Sequence, residues 1–281
     1  MKRLLTAGLL VAFGLSAMAA APFKIGMAGF SFWKTPLDEA LATMKTINCH
    51  HLCIKDYFLP LDADDAQIAD FRAKCKAAGV ELHASGPLYI SEEKTARKLF
   101  EQAKKAGVGT VVVVPFERVK IEGQEKTQNV ESEKALDLLE KLVKEYDIRA
   151  AIHNHGPDMP KLFPTAEAVM ARIRNRDRRI GICLDIGHEQ RAGLDPVQAI
   201  RKFGDRIYDV HLKNIHAADK TGHAVQGPRG VLDIRGVFQA LADVGYSGVC
   251  HIEYERDFEN NAMGLAESFG YYRGVLSCIR P

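Results

Sequence analysis

The chain has 281 residues, 47% of them hydrophobic and 26% charged, with 38 basic and 36 acidic side chains and a formal net charge of +2. That composition belongs to a folded globular chain, and the near-balance of charge argues against a nucleic-acid footprint or a membrane-binding surface. The length permits one or two domains, a single barrel of about 250 residues among them.

The chain begins MKRLLTAGLLVAFGLSAMAAAPF. Lys2 and Arg3 precede an apolar run from Leu4 to Leu15, which is too short to span a bilayer comfortably. Ala17-Met18-Ala19 and Ala19-Ala20-Ala21 are both A-x-A cleavage signals. Residues 1–21 are therefore expected to be a secretory signal peptide, with residues 22–281 as one mature domain. No cysteine follows the run to carry a lipid anchor. The expected location is beyond the inner membrane, periplasmic in a diderm bacterium, with no stable membrane association after cleavage. The six cysteines, Cys49, Cys53, Cys75, Cys183, Cys250 and Cys278, would then meet an oxidising compartment. Their spacing is not that of a small disulfide scaffold, and whether any pair forms is left open. CHHLC (49–53) invites a metal reading, but it leads into an apolar strand and lacks a second Cys/His pair at zinc-site spacing.

From here strand-like and helix-like patterns alternate to the end. FKIGMAGFSF (23–32) reads as a first strand, and Pro36 opens a helix over 36–48, as proline does at a first turn. HLCIKDYF (51–58) is a second strand, followed by a helix over 64–79 with an acidic start and a glycine stop. VELHASG (80–86) is a third strand. The next helix, 91–107, is expected to be capped by Ser91 and closed by Gly107. TVVVVPF (110–116), rich in β-branched residues, reads as a strand buried on both faces. An amphipathic helix over 131–146 comes next. IRAAIHNHG (148–156) is strand five with a helix over 165–175, and IGICLDIGH (180–188) is strand six with a helix over 195–204. IYDVHLKNI (207–215) is strand seven with a helix over 233–245, and GVCHIEYERD (248–257) is strand eight with a closing helix over 262–279. Cys183 and Cys250 fall inside strands and read as buried, inert thiols. Strict alternation argues for a parallel sheet, and eight units argue for one closed (β/α)₈ barrel. The alternative, a doubly wound open sheet, lacks a G-x-G-x-x-G after the first strand.

Sites in such barrels form at the carboxyl ends of the strands. His153 and His155 stand two apart on strand five, so both should point the same way. Strand six ends CLDIGH with Asp185. Strand seven carries Asp209, His211 and Lys213 in phase, and strand eight carries His251, Glu253 and Glu255 in phase. Four neighbouring strands ending in imidazole or carboxylate would be costly to desolvate unpaired. A divalent cation held by His, Asp, His and Glu relieves that cost, and mixed N/O donors suit Mn, Zn, Co or Fe.

These segments, HNH (153–155), CLDIGHEQRAG (183–193), DVHLKN (209–214) and IEYERD (252–257), resemble the xylose-isomerase-like barrels, which include sugar isomerases, ketose epimerases, inosose dehydratases and related lyases. The resemblance covers the mature chain. It implies metal ligands at His153, Asp185, His211 and Glu253, a substrate contact at His188, and Lys213 beside the site. Proton-transferring members commonly carry Glu where this chain has His153, which counts against a two-glutamate epimerase mechanism.

Other residues carry two readings each. His155 fits an outer partner of the site or a buried, hydrogen-bonded imidazole. Lys55, ending strand two, fits a general acid or base or a rim salt bridge. His83 reads as a core histidine. Trp33, ending strand one, fits a sugar-stacking wall or plain packing. Arg229, in QGPRG (226–230), fits an anion contact or a surface loop. The expected function is a divalent-metal-dependent sugar isomerase or epimerase, in which a chelated carbonyl acidifies the neighbouring C–H. Glu253, His153 and Lys55 are the candidate bases. A periplasmic lyase acting on 3-keto-glycosides would use the same site. A metal-dependent phosphodiesterase or endonuclease, and a non-catalytic sugar-binding protein, are the remaining alternatives. The expected partner is a small carbohydrate, not nucleic acid, and a homo-oligomer is left open.

Overall fold

The computed structural model describes residues 21–280, so the expected signal peptide, save Ala21, lies outside the described residues. Nine strands run in chain order as β1 (Lys24–Ala28), β2 (His51–Ile54), β3 (Glu81–Ile90), β4 (Thr110–Lys120), β5 (Thr127–Glu131), β6 (Arg149–His153), β7 (Ile180–Asp185), β8 (Ile207–Leu212) and β9 (Val249–Ile252). All but β5 pair in parallel, in the ring β1-β2-β3-β4-β6-β7-β8-β9, with β9 back against β1. The ring is the expected (β/α)₈ barrel. Its β-branched strand cores are buried on both faces, as Val111 to Val114 of β4 show.

The outer helices are α1 (Leu37–Thr46), α2 (Asp65–Ala77), α3 (Glu93–Ala106), α4 (Glu133–Tyr146), α5 (Ala166–Ile173), α7 (Pro196–Phe203), α8 (Ile234–Asp243) and α9 (Ala262–Ser277). A short α6 (Ile186–Arg191) sits directly on the end of β7. Local chemistry sets the boundaries. Asp64 and Gln67 form a capping box at α2, and Ser132, Thr165, Asp195 and Asp233 each cap a following helix with a side-chain oxygen. Gly107 closes α3 in the left-handed region at φ 78°. Ser91 is not a cap: α3 starts after Glu92, without a side-chain capping bond.

Most strand boundaries differ from the sequence reading: β2, β6 and β8 stop short at Ile54, His153 and Leu212, so Lys55 and Lys213 lie just past their strands, and β3 runs on to Ile90. The first strand ends at Ala28 and a 3₁₀ turn covers Gly29–Phe32, so Trp33 lies past the strand. β4 runs on to Lys120 and forms an antiparallel hairpin with β5. Strand six stops at Asp185, and His188 belongs to α6. The last strand stops at Ile252, so Glu253 and Glu255 lie just beyond it. All six cysteines are free thiols, five buried and Cys278 exposed. Among the described residues no helix is long and apolar enough to cross a membrane.

The barrel interior is unusual. Small side chains, Cys53, Ala84, Val112, Ala151 and Cys183, fill one side. Asp209, His211 and His251, all fully buried, fill the other. Branched aliphatics dominate most barrels of this kind.

Candidate active site

Strand register brings the rim residues to one height. Asp185 stands opposite His211, His153 opposite Cys183, and Glu253 follows Ile252, the partner of Leu212. The result is a four-residue cluster: His153, Asp185, His211 and Glu253 each place a donor atom within 4.8 Å of the others, and all are buried. His211 Nδ1 lies 3.2 Å from Glu253 Oε2, while His153 Nε2 lies 3.7 Å from Asp185 Oδ2 and 3.9 Å from Glu253 Oε2. Both ring nitrogens of His153 and of His211 have no hydrogen-bond partner, and Asp185 Oδ2 and Glu253 Oε2 are met at 3.0 Å by the Lys213 ammonium. Buried polar atoms are normally paired. Two imidazoles with unpartnered nitrogens, converging with two carboxylates, form a set that fits a divalent cation such as Zn, Mn, Co or Fe.

Asp185 is held by the chain on both sides. Its Oδ1 accepts the backbone N–H of His188 at 2.7 Å, which starts α6, and its own N–H donates to Asn154 Oδ1 at 2.8 Å. Asn154 Nδ2 in turn donates to the Asp185 carbonyl at 3.2 Å. The sharp strand-to-helix step depends on Gly187, because a Cβ there would stand 2.5 Å from the Lys213 carbonyl oxygen.

Lys213 binds the cluster together. Its Nζ lies 3.0 Å from Asp185 Oδ2, 3.0 Å from Glu253 Oε2 and 3.2 Å from Glu255 Oε2. Burial alone would lower its pKa, but these carboxylates hold it well above the usual lysine range, so it stays an ammonium. Glu253 is held well below the carboxylate range because Lys213, His211 and His153 outweigh the effect of burial. Burial, with Glu253 nearby, pushes Asp185 up to about 7. Burial would lower His211, but Cys183 and Glu253 outweigh it and hold the ring well above its ordinary value. The other three imidazoles of the site behave oppositely: burial lowers His153 to about 4 and His155 to about 3, and drops His188 well below its ordinary value. They are neutral near pH 7, as ligands and hydrogen-bond acceptors must be.

A pocket of about 340 Å³ opens over the cluster, with Lys55, Tyr89, His155, His188, Arg191 and Glu255 on its walls. His188 Nε2 accepts from Lys213 Nζ at 3.0 Å, and Arg191 Nη1 lies 3.3 Å from His188 Nδ1. His155 Nε2 meets the Tyr89 hydroxyl at 2.8 Å. The wall thus sets hydrogen-bonding groups beside the apolar Phe30, Pro87 and Met159, a mixture suited to the hydroxyls and C–H face of a sugar-like ring.

The sequence model of the xylose isomerase-like TIM barrel family matches residues 24–274. The chain belongs to that family. Among curated relatives, an inosose dehydratase of Clostridium tetani (strain Massachusetts / E88) is 31% identical over 140 residues, 44% of this chain and 46% of the relative. A mannonate dehydratase of Oceanobacillus iheyensis is 30% identical over 127 residues, 40% of this chain and 35% of the relative. The chain therefore spans about half or less of these relatives' length. The crystal structure of the IOLI protein with a binding zinc atom superposes with a TM-score of 0.70 at 17% identity, covering 92% of this chain and 99% of that one.

Within this xylose isomerase-like barrel the four expected ligands converge, and His188 and Lys213 join them. His153 and His155 both face the pocket, with ring centres 4.9 Å apart, although β6 ends at His153 and His155 bonds to Tyr89. Lys55 lies at the pocket wall, where its Nζ donates to the Pro87 carbonyl at 2.7 Å and lies 3.3 Å from Asp56. Trp33 is 52% exposed and stays outside the pocket, stacked on Phe30, which does line it. His83 is not a core residue: it is half-buried near the start of β3, beside His251 at 5.4 Å between ring centres. Arg229 is a surface residue paired with Glu267 at 2.8 Å. CHHLC does not converge: His50 bonds to Gly79 and Asn48, while Cys53 points into the barrel. Tyr89 and Arg191 were not singled out from sequence. Arg191 had a faint signal, one helical turn after His188; Tyr89 had none.

Proposed function

We propose that this barrel is a divalent-metal-dependent enzyme that removes a proton from the carbon next to a carbonyl of a carbohydrate or polyol-derived ketone. The outcome is isomerisation, epimerisation or loss of water. The observation that carries the reading is the buried His153–Asp185–His211–Glu253 cluster at the floor of a pocket walled by hydrogen-bonding and apolar groups. The dehydratase names of the curated relatives support it.

His153, Asp185, His211 and Glu253 would hold the ion. A cation bound there supplies Lewis-acid polarisation of the substrate carbonyl. Glu253, kept ionised by its neighbours and lining the pocket, is the base for the C–H proton. Lys213, kept as an ammonium, donates to the developing oxyanion or to a departing hydroxyl. His188 Nε2, 3.0 Å from Nζ, orients that ammonium toward the pocket. With His153 in place of a second carboxylate, protons are handled by a carboxylate and an ammonium.

A second reading is favoured by the aromatic cluster at the mouth. Trp33 stacks on Phe30 at 6.1 Å, and Phe258 meets both edge-on. Such a platform fits a second ring, and so a keto-glycoside cleaved by elimination. The leader-like N-terminus adds the proposal that the substrate is met in the periplasm.

The test is solvent exchange. The metal-supplemented protein is incubated in D₂O with a panel of keto-sugars, inososes and 3-keto-glycosides, and products are read by NMR. Deuterium at the carbon beside the carbonyl, absent in Asp185→Ala, is the expected result. No exchange, no isomer and no elimination product with any member would overturn the reading.

A further inference from the structure

The layer beneath the four rim donors is also polar on one side. Residues two positions before each donor lie one step deeper in the barrel. They are Ala151, Cys183, Asp209 and His251, all fully buried. Asp209 Oδ1 accepts from His251 Nδ1 at 2.7 Å and from the Val210 backbone N–H at 2.8 Å. Asp209 Oδ2 has no partner, and neither has His211 Nε2. A carboxylate oxygen of Asp209 nonetheless lies within 4.8 Å of a ring nitrogen of His211. The thiols of Cys53 and Cys183 sit in the same layer, but sulfur is a weak acceptor.

Resting on the reading of the rim as a metal centre, we infer that Asp209 is a positioning residue for His211. Its Oδ2 accepts a hydrogen bond from Nε2–H, which keeps the proton on Nε2 and leaves Nδ1, 3.2 Å from Glu253 Oε2, as the nitrogen that faces the rim. An imidazole that ligates through one nitrogen keeps its proton on the other, and an outer carboxylate fixes that choice. His251 completes the arrangement. By donating to Oδ1 it fixes the rotation of the carboxylate and leaves Oδ2 as the oxygen free to serve His211. The paired spacings D-x-H on β8 and H-x-E on β9 therefore encode ligands and the support one layer below them.

The test compares the wild type with Asp209→Asn and His251→Gln. Affinity for Zn²⁺ is read by competition with a chromophoric chelator. The His211 ring nitrogens are read by ¹⁵N NMR, assigned with a His211→Gln variant. The wild type is expected to show a slowly exchanging Nε2–H on His211, with and without zinc. Asp209→Asn should lose that protected resonance and bind zinc roughly 10–100-fold more weakly. His251→Gln retains a donor for Oδ1 and should stay near wild-type affinity. A wild-type His211 without a proton on Nε2 would overturn the inference, as would Asp209→Asn with wild-type affinity and an unchanged resonance. If Asp209→Asn does not fold, the wild-type spectrum decides alone. If the wild type binds no zinc, the metal reading fails separately, and the protected resonance still reports whether Asp209 holds His211.

Discussion

Lys213 places one buried ammonium against three carboxylates, two of them fully inside the cluster. Its role is chemical as well as electrostatic, since it lines the pocket and keeps a proton 3.0 Å from Glu253. Lys213→Met should keep the fold and lower turnover or solvent exchange by about 10²-fold or more, as loss of a general acid does. Lys213→Arg should not restore it, because a planar guanidinium cannot sit as a point charge between the carboxylates. Wild-type exchange in Lys213→Met would remove Lys213 from the chemistry. At this scale the sequence was most legible where residues lie in phase on strands: Asp185, His211 and Glu253 announce themselves as polar side chains on apolar strand ends. Tyr89 and Arg191 reach the pocket from an overlong β3 and from α6, whose positions follow from packing, not from local pattern.

At the scale of elements, the junction of β7 and α6 decides the site. Sequence pattern carried strand six through His188, because Ile186 and Gly187 continue an apolar run. The structure stops it at Asp185, whose carboxylate caps α6. That turn puts His188 beside Lys213, and it puts Glu189 where its Oε2 accepts from Asn154 Nδ2 at 3.2 Å and from the Ala166 N–H at 2.9 Å. Burial pushes the Glu189 carboxyl from its ordinary 4.5 up to about 7. Its folded-state value is raised, so the stability it contributes is present below about 4.5 and is lost as pH rises through about 7. Glu189→Gln keeps an acceptor oxygen and cannot ionise. Relative to the wild type it should gain about 3 kcal/mol between pH 4.5 and pH 8, measured by urea unfolding. A constant difference across that range would contradict the assignment. The β4–β5 hairpin escaped the sequence reading for a simpler reason: its turn around Gly123 lacks the Asn-Gly or Asp-Gly signal of tight hairpins.

For the whole molecule, alternation of β-branched runs with capped amphipathic helices made the barrel legible, because eight such units have few ways to bury both faces of every strand. The polar interior was legible only in part: Asp209 and His251 stand in phase with His211 and Glu253 on neighbouring strands, but the pattern alone does not tell that they pair with each other below the rim. That interior has a consequence for acid stability. Burial lowers His83 and His153 from 6.5 to about 4, and His155 to about 3. Their folded-state values are depressed, so the stability tied to their neutral forms is present above 6.5 and is lost as pH falls through about 4. His83, away from the pocket, isolates the effect. His83→Gln should remove about 2 kcal/mol of the loss between pH 7 and pH 5, and an unchanged acid limb would contradict it.

The central claim is that the rim cluster holds one divalent ion. The direct measurement is elemental analysis of the purified protein, beside His153→Ala and Asp185→Ala, after incubation with Mn, Zn, Co and Fe and dialysis. About one ion per chain in the wild type, with both variants depleted, is the predicted result. No ion retained by the wild type, or equal retention by all three proteins, would contradict the account.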